Sequence, residues 1–140
     1  MSKTDTLASE AIRQAVDLLR EQLAAELVYL FGSAARGELR PESDLDFAFW
    51  SERRFVDYEV FMVAQQLADQ LRREVDLIDL RKASTVLKAQ IVGYGRNIYA
   101  VHANRRINFE IVALKEYALL NEERQVVIDS FIKGVSPGGK

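Results

Sequence analysis

Gly32-Ser33 closes an apolar run, Leu27 to Phe31, and ten residues further on Asp44-Leu45-Asp46 opens a second. A third apolar run, Val75 to Leu80, carries Asp76. Each of these residue types has a chemical use if the three runs come together. Glycine at the end of a buried strand lets backbone approach a ligand closely, and the N–H groups of the turn or helix that follows bind phosphate oxygens. The Ser33 hydroxyl adds a donor. Arg36, one turn on, can reach a phosphate or pair with Glu38 or Glu42. Asp44 and Asp46, two apart on a strand, leave one face roughly 7 Å apart, close enough to grip a common cation. Magnesium suits such a pair, because it takes a few carboxylates and fills its octahedron with water and substrate phosphates. Asp76 lies between Val75 and Leu77, where a lone charge is costly unless neutralised, and a shared metal neutralises it. A triphosphate held by a turn beside carboxylate-bound magnesium transfers a nucleoside monophosphate to a hydroxyl, with two ions roughly 4 Å apart serving the attacking and leaving oxygens.

Taken singly, the parts are ordinary. An Asp-x-Asp pair also occurs on solvated strand edges, and Gly-Ser also makes a plain strand-to-helix turn. Ser43 can cap or brace the loop before Asp44. Asp79 falls on the strand face opposite Asp76 and reads as a cap for the loop before Arg81. His102, the one histidine, reads as a surface loop residue, and Trp50 as core packing.

The elements that must position these residues follow from periodicity. Ile12, Val16, Leu19 and Leu23 mark one side of a helix over 8–23. Strands are expected at 27–31, 44–50, 75–80 and 97–101. A helical turn is expected within 34–40, before Pro41 forces extended backbone. A helix over 57–73 carries Phe61, Ala64, Leu67, Ala68 and Leu71 as its apolar stripe. Ser84 caps a helix to about Val92, with Gly93 placed to end it. The longest helical pattern runs from about Arg105 to Lys133, with Ile107, Ile111, Leu114 and Ala118 on one line and other apolar residues spread wider. That breadth suggests burial against both its own core and a partner. The order implies an α/β (α+β) chain with a small mixed β-sheet flanked by helices.

Composition narrows the class. The 140 residues are 49% apolar and 29% charged, an ordinary globular balance, and they read as one domain over 1–134 with a flexible tail at 135–140. There is no cysteine, which excludes disulfides and thiolate metal sites. A formal charge of −2 lacks the basic excess of nucleic-acid binders, although Arg53-Arg54, Arg72-Arg73 and Arg105-Arg106 could form local patches. No run approaches a membrane span, and the first residues form no signal-like apolar block, so a cytoplasmic location is expected.

Gly32-Ser33 through Asp44-Leu45-Asp46, with Asp76 as third carboxylate, resembles the nucleotidyltransferase superfamily that includes DNA polymerase beta. Phe31-Gly-Ser-Ala-Ala-Arg-Gly, Ser43-Asp-Leu-Asp-Phe, Val75-Asp-Leu-Ile-Asp-Leu and the segment from Ala83 to Tyr99 look like the minimal nucleotidyltransferase (MNT) antitoxins, whose partners are HEPN toxin ribonucleases. The resemblance covers a catalytic core of about 24–100, with the C-terminal helix of about 105–133 beside it. It implies a polymerase beta-like fold and a Mg-dependent protein adenylyltransferase that moves AMP from ATP to a tyrosine of its HEPN partner and so inactivates it. It further implies catalytic and metal-binding roles for Asp44, Asp46 and Asp76, and nucleotide contacts from Gly32, Ser33, Arg36 and Ser43. Two alternatives stay open. One is an antitoxin that neutralises by binding alone, and the other is a small-molecule enzyme of the aminoglycoside-modifying kind. The second lacks the extra domain that completes an acceptor pocket, and nucleic acid is a poor acceptor on charge grounds.

Overall fold

Four short apolar runs pair into one mixed sheet in the order β3-β2-β1-β4. The structure, a computed structural model, describes residues 9–37 and 43–135. The chain runs α1 (Ser9–Leu23), β1 (Leu27–Phe31), a 3-10 turn (Gly32–Ala34), β2 (Leu45–Trp50), α2 (Asp57–Leu71), β3 (Val75–Asp79), α3 (Thr85–Tyr94), β4 (Arg96–Ala100) and α4 (Ala103–Val135). β1 is antiparallel to both β2 and β4. β2 and β3 are parallel, as the α2 crossover between them requires.

Alternation along the strands divides the core in two. Val28, Leu30, Leu45, Phe47 and Phe49 face α1 and α2, where they meet Leu19, Leu23, Val63 and Leu67. Leu27, Tyr29, Ala48 and Leu80 face the other way and pack with Ile91 of α3 and Phe109 of α4. Burial on both faces explains why these strands read as nearly continuous apolar runs. Asp46 and Asp76 share the second face, at its one end that α3 leaves open.

Several boundaries differ from expectation for identifiable reasons. α3 passes through Gly93 and stops at Gly95, whose amide donates to the Ile91 carbonyl at 2.8 Å. A Cβ at Gly95 would stand 2.9 Å from the Leu30 carbonyl oxygen, whereas one at Gly93 meets nothing. α2 stops at Leu71 because Arg72 turns left-handed (φ 58°). Its buried stripe is Val60, Val63, Ala64 and Leu67, while Phe61 is 55% exposed. A stripe through Phe61 and one through Val60 share the same 3-4 spacing, so periodicity alone could not choose. The turn expected within 34–40 starts earlier, at Gly32, and its later part lies outside the described residues, as does Pro41. α4 begins at Ala103 and continues through Val135; the rest of the expected tail, 136–140, lies outside the described residues.

On α4, Phe109 and Ala113 turn toward the sheet, with Tyr117 and Leu120 half-buried below them. The line Ile107, Ile111 and Leu114 is exposed. From Asn121 to Lys133 every residue is exposed, Val126, Val127, Phe131 and Ile132 included. At 1.5 Å per residue α4 is roughly 50 Å long, so its second half extends past the body of the protein. Tyr29 anchors the first half: its hydroxyl donates to Glu110 Oε2 at 2.6 Å, and its ring and that of Trp50 pack on Phe109. Arg106 donates to the same carboxylate at 2.9 Å. Burial, then the bond to Glu110, pushes the Tyr29 hydroxyl well above its ordinary pKa, so it stays a donor. No helix among the described residues is long and apolar enough to cross a membrane.

Candidate active site

Register brings the sequence-distant carboxylates side by side. Phe31 pairs with Asp46 across β1 and β2, and Asp46 pairs with Asp76 across β2 and β3. The result is a row, Phe31–Asp46–Asp76, crossing three strands on one face at one end of the sheet. Asp44 stands just before β2, exposed, on the same side as Asp46. Neighbouring strands lie about 4.8 Å apart, so Asp46 and Asp76 meet as near neighbours of like charge. The electrostatics register this. Burial, then the charges of Asp76 and Asp44, raise the Asp46 carboxyl above its ordinary range, while Arg36 pulls it back.

The turn after β1 closes on the same point. Gly32 has φ +70°, and a Cβ there would lie 2.3 Å from Asp46 Oδ2. Only glycine permits both the backbone direction and the close approach. The 3-10 turn follows at once, with Ala35 and Arg36 amides donating to the Gly32 carbonyl. Ser33 sits in this turn, half-buried, and Arg36 stands exposed at its end. Ser43 is half-buried before β2, and its carbonyl accepts from Arg73 Nη1 at 3.0 Å. The structure therefore gathers Gly32, Ser33, Arg36, Asp44, Asp46 and Asp76 at one end of the sheet, and shows Ser43 bracing the loop that leads into it.

Two openings flank the carboxylate row. Beside Gly32, a pocket of about 350 Å³ is lined by Phe31, Gly32, Arg36, Leu87, Gln90, Ile91 and Tyr94. Gln90 and Tyr94 were not singled out as site residues from the sequence. Tyr94, 82% exposed at the end of α3, carried a signal only in that exposure, which a sequence does not display. Beside Asp76, a groove of about 650 Å³ follows the outer edge of β3 between α2 and α3.

Other candidates have quieter roles. Asp79 caps its loop as expected, accepting from the Arg81 amide at 3.0 Å. His102 Nδ1 accepts from the Arg105 amide at 3.2 Å and so caps α4. Four of the six arginines in the three adjacent pairs are seen engaged within the molecule: Arg105 with Glu26 and Glu52, Arg106 with Glu110, Arg53 over the Phe55 ring and Arg73 with the Ser43 carbonyl.

Among the described residues no three Asp, Glu, His or Cys side chains form a ready-made metal cage. The donor set nonetheless fits a hard divalent ion. It consists of carboxylates alone, mutually repelling, on a face open to solvent. Such an ion completes its shell with water and phosphate.

A sheet of this order with a glycine turn set against paired strand carboxylates defines a nucleotidyl-transfer fold. The polymerase beta nucleotidyltransferase family matches residues 13–104, and the chain belongs to it. Among curated proteins, it is 36% identical over 115 residues to the protein adenylyltransferase MntA of Shewanella oneidensis, covering 81% of this chain and 82% of that one. Among solved structures, a toxin–antitoxin crystal structure with AMP-PNP aligns at TM-score 0.78 and 34% identity, over 86% of this chain and 98% of that one. The MNT antitoxin in complex with a tri-AMPylated Shewanella oneidensis HEPN toxin aligns at TM-score 0.73 and 31% identity, over 88% of this chain and 97% of that one.

Proposed function

We propose that this protein is a protein adenylyltransferase acting as an antitoxin, which transfers AMP from ATP to a tyrosine hydroxyl of a HEPN-domain partner and so inactivates it. The observation that carries the reading is the Phe31–Asp46–Asp76 row closed by Gly32, in a chain of MntA's family and 36% identical to it. A cytoplasmic site of action accords with an ATP substrate and a protein partner.

Each residue's role follows from its place. The amides that open the 3-10 turn have no partner within the turn itself, so they and the Ser33 hydroxyl bind the terminal phosphates. Arg36, on the same turn, adds positive charge beside them. On this reading Asp44 and Asp46 would hold two magnesium ions, and Asp76 would complete the set for one. The chemistry these carboxylates would gain from bound magnesium is positive charge against the triphosphate and easier loss of the acceptor's proton. Asp76, at the outer end of the row, would lie nearest an acceptor approaching from that side and could receive its proton. A tyrosine hydroxyl, with an ordinary pKa of about 10, is more readily ionised than a serine or sugar hydroxyl. The acceptor oxygen bonds to the α-phosphorus as the bridge to pyrophosphate breaks, and pyrophosphate carries away the electron pair.

The exposed apolar lines of α4 provide a seat for the partner. That same observation favours a second reading, neutralisation by binding alone. Intact masses of both chains after incubation with ATP and magnesium separate the two. An added AMP on the partner, lost with Asp44→Ala, supports transfer. A stable complex with unchanged masses supports binding.

A further inference from the structure

We propose that the acceptor tyrosine reaches the site on an extended segment of the partner, docked as a fifth strand along the outer edge of β3. This rests on the adenylyltransferase reading above and adds how the acceptor is presented.

β3 is an edge strand. The Leu45 amide donates to the Glu74 carbonyl and the Leu80 amide donates to the Phe49 carbonyl, both at 2.9 Å. Hydrogen-bonding direction alternates along a strand, so residues 74, 76, 78 and 80 bond inward to β2. The main-chain groups of Val75 and Leu77, and the Asp79 N–H, therefore point outward into the 650 Å³ groove. Phe61 and Ala64 of α2 form one wall, and Ser84 and Leu87 at the start of α3 form the other. Unpaired strand edges bind extended peptides through main-chain bonds, with side-chain pockets adding selectivity.

Register supplies the reason for placing the acceptor here. A residue docked opposite Asp76 presents its side chain on the face Asp76 uses, one strand spacing further out, about 4.8 Å. It becomes the next member of the Phe31–Asp46–Asp76 row, on the side away from Gly32. With the nucleotide in the pocket beside Gly32, nucleotide and acceptor flank the carboxylates from opposite sides, as an in-line displacement requires.

Two more observations describe the occupant. Of the acids that line the groove, Asp57 is paired with Lys82 at 2.8 Å and Asp76 belongs to the carboxylate row, which leaves Glu74 and Asp79 facing a docked segment. The groove thus favours a segment with basic residues around its tyrosine. Asp79 is 7% exposed, and its Oδ2 has no hydrogen-bond partner among the described residues. A donor on a docked segment would satisfy it.

The test uses short tyrosine-centred peptides flanked by lysine or by glutamate, with ATP and magnesium, read by mass. The lysine-flanked peptides are expected to gain AMP, at least about tenfold faster than the glutamate-flanked ones. Hydrogen exchange should slow at the Val75 and Leu77 amides when peptide is added. Val75→Pro removes an outward N–H that β2 does not use, so the sheet survives; it should cut peptide modification about tenfold with ATP affinity unchanged. Glu74→Lys should weaken the preference for lysine flanks. Edge docking is overturned if the protein binds ATP yet modifies no peptide, if Val75→Pro works at the parental rate, or if exchange at those amides is unmoved. A protein that binds no ATP at all overturns the adenylyltransferase reading itself.

Discussion

Gly32 and Asp46 show how closely chemistry and backbone are joined at single residues. Gly32→Ala must accommodate a methyl 2.3 Å from Asp46 Oδ2 and hold a left-handed φ. A loss of about 1–2 kcal/mol in denaturant melts is expected from the backbone alone, with transfer activity falling further. Asp46 gives a pH signature. Its carboxyl holds a proton more tightly folded than unfolded, first through burial and then through Asp76 and Asp44. In the window between the ordinary and the raised value, the native state carries more protons, so stability falls as pH rises through it. Asp46→Asn should therefore match the parent in acid and exceed it slightly at neutral pH, the margin kept small because solvent screens a partly exposed group. ATP with magnesium should raise the melting temperature of the parent and not of this variant. Tyr94→Ala should raise the KM for ATP several-fold without unfolding the protein, as steady-state kinetics would show. The glycine, the serine and the three aspartates were legible because each is an unusual residue for its place in an apolar strand or at its end. Tyr94 and Gln90 were not, since they line the pocket beside Gly32 only through the packing of α3.

The elements were legible wherever periodicity had a single solution. The four strands and α1 emerged close to their observed bounds because their apolar residues are contiguous or strictly spaced. α2 was harder, since Val60 and Phe61 begin equally good stripes, and only the sheet decides that Val60 goes inward. α3 ran through Gly93 because a glycine ends a helix only where space or hydrogen bonding demands it, and both demands fall on Gly95. For α4, the line taken as its first stripe, Ile107–Ile111–Leu114, proves exposed, and Phe109 and Ala113 form the inward line. What fixes that rotation is the Tyr29–Glu110 bond and the contact of Phe109 with Trp50. Phe109→Ala should cost about 3–5 kcal/mol, less if the partly exposed site collapses. Tyr29→Phe, which breaks a bond to a charged acceptor, should cost about 1.5–3 kcal/mol. Both are read from denaturant melts, and Tyr29→Phe should leave ATP affinity unchanged.

At the scale of the molecule, the sheet and the first half of α4 form the body, and the second half of α4 is an arm exposed from Asn121 to Lys133 that carries the apolar side chains Val126, Val127, Ile128, Phe131 and Ile132. Truncation after Leu120 should leave the melting temperature within a few degrees of the parent, since little packing is lost. The same truncation should abolish co-elution with the proposed HEPN-domain partner in size-exclusion chromatography. The arm also bears on the lifetime of the free chain. A helical segment of this length without tertiary contacts is marginal in water, so it frays and exposes its backbone to proteases. A partner that clamps the arm removes that opening by mass action. Limited proteolysis should accordingly cut the free chain within this arm sooner than the same chain held by a partner.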